Sequence, residues 1–405
     1  MIAIRASLGS MRCRFLALAL VACNGAVDET PPQLPGGPRA GIALASGLDT
    51  SCAVTSAGEV ACWGMEVGWW DIAWSNSHQR GTYALSPLLV DGVSGAVAVS
   101  QTSDSRGCAV LEDGRVQCWG DNSFGALGNG MVNPPFAYQA PVFVSGISTA
   151  TAVVSTFEHG CALLSGGGVQ CWGFNVNGSL GDGTRNNSAN PITVPGVTTA
   201  VAMAGGESGT GGSTCVLLGD QSVRCWGVIN CTVDVPDQQC VPHPPTTITG
   251  LSGAKKIFVA AYHRDQPRGC AVLQDDTVAC WPNAQGNLAA SPETSVKSVV
   301  SLAIGDRYTC ALLHDATVAC WGANDFGQLG NGTTVAAPLG VVLGLSDVVE
   351  VSAGNDHTCA RLSNGGIRCW GHNLSGQLGD GKGNPKNNSD PPNSSAVPVA
   401  VKGFL

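Results

Sequence analysis

Charge is scarce in this chain: Asp, Glu, Lys and Arg together make up 12% of its 405 residues. Long amphipathic helices need Glu and Lys along their outer faces, so an architecture built on them is excluded. Basic residues are outnumbered, 20 against 29, which leaves a net charge of −9. A surface of that sign is repelled by phosphate backbones, so no nucleic-acid partner is expected. The only candidate membrane segment is an apolar run, Phe15 to Ala22, too short to span a bilayer. No G-x-S-x-G elbow, P-loop or H-E-x-x-H is present. The seven His are scattered; His159 and His357 share a slot two residues before a Cys, while His78, His243, His263, His314 and His372 have no common context. The expectation is therefore a protein that is not an enzyme and holds no cofactor or metal.

What is abundant points one way. The chain has 55 Gly, 22 Pro and 18 Cys, the profile of many short strands joined by tight turns. Seven Cys pairs recur, each ten positions apart: Cys52 with Cys62, Cys108 with Cys118, Cys161 with Cys171, Cys215 with Cys225, Cys270 with Cys280, Cys310 with Cys320 and Cys359 with Cys369. Every second Cys precedes a Trp, and successive first Cys lie 56, 53, 54, 55, 40 and 49 residues apart, a blade-sized period. Within Cys108–Cys118 two apolar runs flank Asp113-Gly114, a hairpin-turn signal that sets the two Cys opposite each other. Related turns stand at Ser56-Ala57-Gly58-Glu59, Ser165-Gly166-Gly167-Gly168 and Ser363-Asn364-Gly365-Gly366. Further strand-like runs precede each pair, making a sheet of about four strands that cannot bury both faces alone. Radial stacking buries them, so the predicted fold is an all-β, seven-bladed β-propeller of four-stranded antiparallel blades.

The motifs are recognisable at this point. Cys-Trp-Gly followed by Asn-x-x-Gly-x-Leu-Gly-x-Gly resembles the repeat of the RCC1 (regulator of chromosome condensation) family. The clearest copies run from Cys118 to Gly130, from Cys171 to Gly183, from Cys320 to Gly332 and from Cys369 to Gly381. The resemblance covers nearly all of residues 41–405 and implies a seven-bladed propeller. Elsewhere each repeat opens with Pro-x-x-Val-x-Gly, as at Pro191 to Gly196; this is missing before Ile42 and reappears at Pro398 to Gly403. The expectation is that the last strand completes the first sheet, closing the ring by pairing the N- and C-terminal strands and removing exposed edges.

Arg5, Arg12 and Arg14 followed by Phe15 to Ala22 read as an export signal. Leu20-Val21-Ala22-Cys23 resembles the lipobox of bacterial lipoproteins, which implies removal of residues 1–22 and lipidation of Cys23; a plain secretory signal is the alternative. Without the three arginines, 17 basic residues against 29 acidic leave −12. Residues 23–40 form a Pro/Gly-rich tether, and 41–405 the propeller. The expected location is the cell envelope, outer membrane or cell surface, with membrane contact only through the N-terminal lipid. Lipidation leaves 16 Cys: the fourteen above, plus Cys231 and Cys240 in an insertion, expected as an eighth bridge. A zinc reading competes, but the x9 spacing and the distribution over blades do not match zinc ligand sets.

The seven Trp of the Cys-Trp motifs read as inter-blade packing. Copies one, four and five leave the consensus after Trp63, Trp226 and Trp281. The first departure holds Trp69, Trp70 and Trp74, an aromatic platform for protein or glycan, unless these rings fold back over blade one. The fourth, Val228 to Pro245, is Pro-rich and braced by Cys231 and Cys240. The function expected is a non-catalytic scaffold that binds a protein, with glycan as a second ligand class. The alternatives are a guanine-nucleotide exchange factor, as the resemblance implies, and a secreted inhibitor-like or structural envelope protein.

Overall fold

The computed structural model describes residues 39–65, 83–103, 106–134, 138–156, 158–208, 211–228, 244–260, 262–263, 268–282, 288–383 and 393–405. Among them the regular structure is β: 29 strands in seven sheets, antiparallel except where Tyr262–His263 adds in parallel to Ala200–Ser208. Blade three shows the unit. Its strands Ala150–Ser155, His159–Leu164, Val169–Gly173 and Ser188–Thr193 pair in sequence order as a simple meander. The first strand of every blade contributes to one central channel, lined from Leu44, Val99, Val153, Met203, Ile257, Leu302 and Val351. The blades therefore meet around a common axis, with first strands innermost and fourth strands at the rim.

The hairpin logic holds at the Cys pairs. Each first Cys stands opposite its second in the ladder, as Cys108 does Cys118. All seven pairs are disulfide-bonded with Cα atoms 4.0 to 4.1 Å apart: Cys52 to Cys62, Cys108 to Cys118, Cys161 to Cys171, Cys215 to Cys225, Cys270 to Cys280, Cys310 to Cys320 and Cys359 to Cys369. Gly114 takes φ 78° at the turn, and its N–H donates to Leu111 O at 2.9 Å. Glycines hold the matching place in blades one, three and seven. Blades four, five and six turn on Gln221, Asp276 and Ala316 instead, at φ 68°, 64° and 63°, a conformation that disfavours any side chain with a Cβ.

There is no single core. Buried aliphatics and the Cys-Trp tryptophans cluster between neighbouring blades, for example Val110, Val116, Leu127, Val144 and Ile147 of blade two with Ala162 and Trp172 of blade three. All seven Trp are buried, the most exposed being Trp321 at 9%. They are packing residues, as their repetition predicted.

Ring closure differs from the sequence expectation. The last strand, Ser395–Ala400, pairs with Ile367–Gly371 as the fourth strand of blade seven, and does not join the first sheet. The first sheet is complete within Gly41–Ser46, Thr50–Thr55, Val60–Met65 and Tyr83–Leu89. The reason is that Pro-x-x-Val-x-Gly is the rim strand of the preceding blade, not the lead-in to the next one. The chain ends do pair, through a bridge between Arg39 and Phe404 in which Arg39 N–H donates to Gly403 O at 2.9 Å. Phe404 also packs against Trp63, ring centroids 5.9 Å apart.

Candidate functional site

What holds neighbouring blades together shows which parts of the ring are free to vary. Four tryptophan indoles donate across a seam into the preceding blade: Trp172 to Ala126 O at 3.0 Å, Trp226 to Ser179 O at 3.1 Å, Trp370 to Gln328 O at 2.8 Å and Trp63 to Gln377 O at 3.0 Å. Each acceptor is the residue between Gly and Leu of the Asn-x-x-Gly-x-Leu-Gly-x-Gly motif. The Asn shapes that loop from inside, since Asn122 Oδ1 accepts the N–H of Leu127 at 3.0 Å and Asn175, Asn324 and Asn373 repeat the bond. The glycine after Leu lets the indole approach: a Cβ on Gly128 would lie 2.9 Å from the ring of Trp172.

The slot two residues before the first Cys adds a second tie at the same seams. His159 Nε2 meets Thr214 Oγ1 at 2.9 Å and His357 Nε2 meets Ser51 Oγ at 2.8 Å. Tyr308 donates to His357 O at 2.5 Å, and Arg106 Nη1 donates to Thr156 O at 3.0 Å. Burial holds the two imidazoles neutral, at about 3 for His159 and about 4 for His357. The two His were read as repeat positions; Tyr308 and Arg106 were missed, although they stand in the same slot. Seams two/three, three/four, six/seven and seven/one thus carry both a clip and a clamp.

At the other three seams the preceding blades are one, four and five, whose sequences lack the motif. These are the blades whose sequences depart from the repeat after Trp63, Trp226 and Trp281. In each meander the connection from third to fourth strand emerges at the same end of the blade, where the first strand also turns into the second. The departures therefore leave the ring on one face. Trp69, Trp70 and Trp74, like Cys231, Cys240 and Cys23, lie outside the described residues; the flanks Met65 and Tyr83, and Val228 and Pro244, mark where two of the loops leave and rejoin.

The bridged cysteines, grouped with the candidate site residues in the sequence reading, do not belong to that face. Cys62, Cys225 and Cys280 come nearest to it in sequence, each standing one residue before the Trp after which a departure begins. All three are buried, at 2%, 0% and 9% exposure, and are bonded to Cys52, Cys215 and Cys270 inside their own blades. A sulfur that is both oxidised and enclosed offers no thiolate to a metal or to an electrophile. These residues staple the hairpins from which the loops spring.

That face also carries two acids held above their usual range. Asp356 is pushed up to about 6 by burial and then by Asp306, and burial raises Glu158 against the pull of Arg106. Asn355 donates to Asp356 at 2.9 Å, and Phe326 lies against His372 with ring centroids 4.4 Å apart. The channel, of about 350 Å³, is lined among the described residues by aliphatic and polar side chains and Phe258, none of them charged. Among the described residues no group of three or more His, Cys, Asp and Glu is placed to hold a metal ion. The described geometry is that of a ring of disulfide-stapled blades around an uncharged channel.

Fold and site together define a disulfide-stapled, seven-bladed propeller of repeated units. The chain carries repeats of the Regulator of chromosome condensation (RCC1) type, matched at residues 97–126, 299–328 and 348–377, and again over 315–361. In sequence it is similar to E3 ubiquitin-protein ligase HERC2 of Mus musculus, 29% identical over 54% of this chain and 4% of that protein. It is also similar to protein pim1 of Schizosaccharomyces pombe, 26% identical over 44% of this chain and 35% of that one. Ultraviolet-B receptor UVR8 of Arabidopsis thaliana is 30% identical over 38% of this chain and 34% of its own length. The chain thus spans about a third or less of the length of these relatives. In structure it resembles Prp20p of Saccharomyces cerevisiae, with a TM-score of 0.65 at 18% identity, covering 90% of this chain and 87% of that one. A second structure of Prp20, bound to Kap60, gives 0.66 at 17% identity and covers 94% and 91%.

Proposed function

We propose that this chain is an exported, lipid-anchored envelope protein whose propeller binds a protein partner, without catalysis, through the loops that leave blades one and four on one face. The observation that carries the reading is the exchange at the seams. Where the loops depart from the repeat, the ring gives up a tryptophan clip that four other seams keep, and local rules are broken most often where function requires it. Three tryptophans in the first loop supply large apolar contact area at low entropic cost, as binding surfaces do. The Cys231–Cys240 bridge would pre-order the fourth loop. Propellers of this fold bind proteins: the Prp20p structure was described with its binding properties to Gsp1p and histones, and a second was solved with Kap60 bound.

The test has two arms in the source cells. Proximity labelling from the full chain identifies neighbours, and pull-down compares wild type with a Trp69→Ala, Trp70→Ala, Trp74→Ala variant. The expected result is loss of a specific protein with the melting temperature unchanged; equal recovery would remove the first loop from the binding surface. Cys23→Ala should move the protein from the membrane fraction to the soluble one. A glycan ligand would appear instead as retention on a polysaccharide column that the triple variant loses.

A further inference from the structure

Blade six differs from its sisters at the rim. Its fourth strand, Ala337–Val341, and the residues just beyond place Leu339, Val341 and Leu343 at alternate positions, 41%, 57% and 52% exposed. The ladder register identifies the matching places in other blades. Immediately before the residue that faces the second Cys stands Pro87, Pro141, Pro191, Pro245 or Pro398 in blades one to four and seven, Ala290 in blade five, whose N–H already donates to Thr249 O of blade four at 2.9 Å, and Leu339 in blade six. Proline has no N–H and is a common guard on edge strands, because it blocks the pairing of a further strand. Blade six carries its proline one residue earlier, at Pro338, and so keeps the amide of Leu339.

The side chains follow the same division. At the next two alternate positions blade three has Thr193 and Pro195 and blade seven has Ala400 and Lys402. Blade two exposes Phe143, but the guanidinium of Arg115 covers its ring at 4.2 Å. The rim strands of blades one, three and seven also receive an N–H from the preceding blade's Gly-x-Gly, as Gly332 donates to Ala396 O at 2.9 Å. Blade five lacks that motif, so blade six does not receive this cover from it.

We propose that the rim of blade six is a docking edge for an extended segment of a partner protein, one with β-branched apolar residues at alternate positions, added as a fifth strand. The length of the edge selects this occupant. A five-residue strand with two exposed aliphatics, and Leu343 just beyond it, falls well short of the about 800 Å² per partner that a stable subunit interface buries, so the edge does not by itself hold a second folded copy. It matches the dimensions of strand addition, in which backbone pairing supplies affinity and alternate side chains supply selectivity. The site is on the rim and does not depend on the face proposed above.

The probe is a fluorescein-labelled heptapeptide, Lys-Val-Thr-Val-Thr-Val-Lys, titrated with the full chain and followed by anisotropy. Saturable binding is expected, weakened about tenfold or more by Leu339→Pro and by Val341→Lys, and absent for the same peptide N-methylated at alternate amides. The melting temperature should be unchanged in both variants, since five sister blades carry proline at the first position and Val341 faces solvent. Failure of the wild type to bind, or equal affinity in Val341→Lys, overturns the proposal. A concentration-dependent dimer in sedimentation velocity that Leu339→Pro dissolves would overturn it in favour of a second copy.

Discussion

Trp172 and Trp321 occupy the same place in their blades, follow the same disulfide and are both buried, yet only Trp172 donates its indole N–H across a seam. Replacing each by Phe removes the same atoms, so the packing losses largely cancel in the comparison. What remains is the bond to Ala126 O. Losing the donor leaves a carbonyl in a dry seam without its partner, which costs about 1–3 kcal/mol. Trp172→Phe should therefore destabilise the ring by about that much more than Trp321→Phe, measured by chemical denaturation under oxidising conditions. A long repeat array can unfold in steps, so a local probe is needed alongside. Exchange of the indole N–H supplies it: Trp63, Trp172, Trp226 and Trp370 should be strongly protected, and Trp119, Trp281 and Trp321 less so. Equal destabilisation by the two Phe variants, together with uniform indole protection, would refute the division into clipped and unclipped seams.

Four further outcomes follow from the same contacts. Ala316→Gly should stabilise the protein by about 1 kcal/mol in thermal or denaturant melts, because Ala316 sits at φ 63° where four sister hairpins use glycine. Removing one staple as a Cys310→Ser, Cys320→Ser pair should cost about 2–3 kcal/mol on chain-entropy grounds, and non-reducing mass spectrometry of the wild type should find these thiols oxidised. His159 and His357 are held neutral when folded but accept protons below about 6.5 when unfolded, so stability falls as pH drops from there towards 4, by up to about 1.4 kcal/mol per pH unit for each. His159→Gln should flatten that acid slope; the raised Asp356 works in the opposite sense, gaining its proton more readily in the folded state, so Asp356→Asn should steepen it. Deleting residues 396–405 removes most of the rim strand of blade seven with buried Val401 and Phe404, and should sharply lower the melting temperature; an unchanged value would refute closure at this seam.

The blades were legible because their signals are local. Asp113-Gly114 between two apolar runs fixes a hairpin, the hairpin fixes the register, and the register places Cys108 against Cys118. Hairpins that turn on Gln221, Asp276 and Ala316 gave no such signal of their own; only the constant Cys spacing revealed them. The boundary between blades was misread for a different reason. Val194 lies between two glycine turns and could end one sheet or begin the next with the same burial, so Pro191 to Gly196 carried no information about which neighbour it pairs with. The seams were opaque because they join residues about 50 positions apart through single atoms, as His159 and Thr214 do. One clue was available: the slot of His159 and His357 is filled elsewhere by Arg106 and Tyr308, all long side chains with a polar end, which is what reaching a neighbouring blade requires.

The distribution of ties has a mechanical consequence. Blades two, three and four are joined by two clipped seams, and so are six, seven and one, whereas blade five is joined to four and six without clips, and one to two likewise. Seam four/five is tied instead by backbone pairing, Glu207 and Ser208 with Tyr262 and His263 and Thr249 with Ala289, whereas seams one/two and five/six rely more on aliphatic contact, which tolerates small sliding better than a seam in which a donor and acceptor must stay aligned. Any distortion of the ring should therefore concentrate at seams one/two and five/six, two of the three places where departing loops emerge. A partner gripping the loop of blade one would then pull on a compliant seam rather than on the clipped arcs. Supplying the missing motif to blade five by grafting residues 322–333 in place of 282–287 should stiffen seam five/six, seen as slower exchange of the Trp321 indole. If that exchange stays as fast as before, the clip is not what sets seam rigidity, and the link between loop position and compliance fails with it.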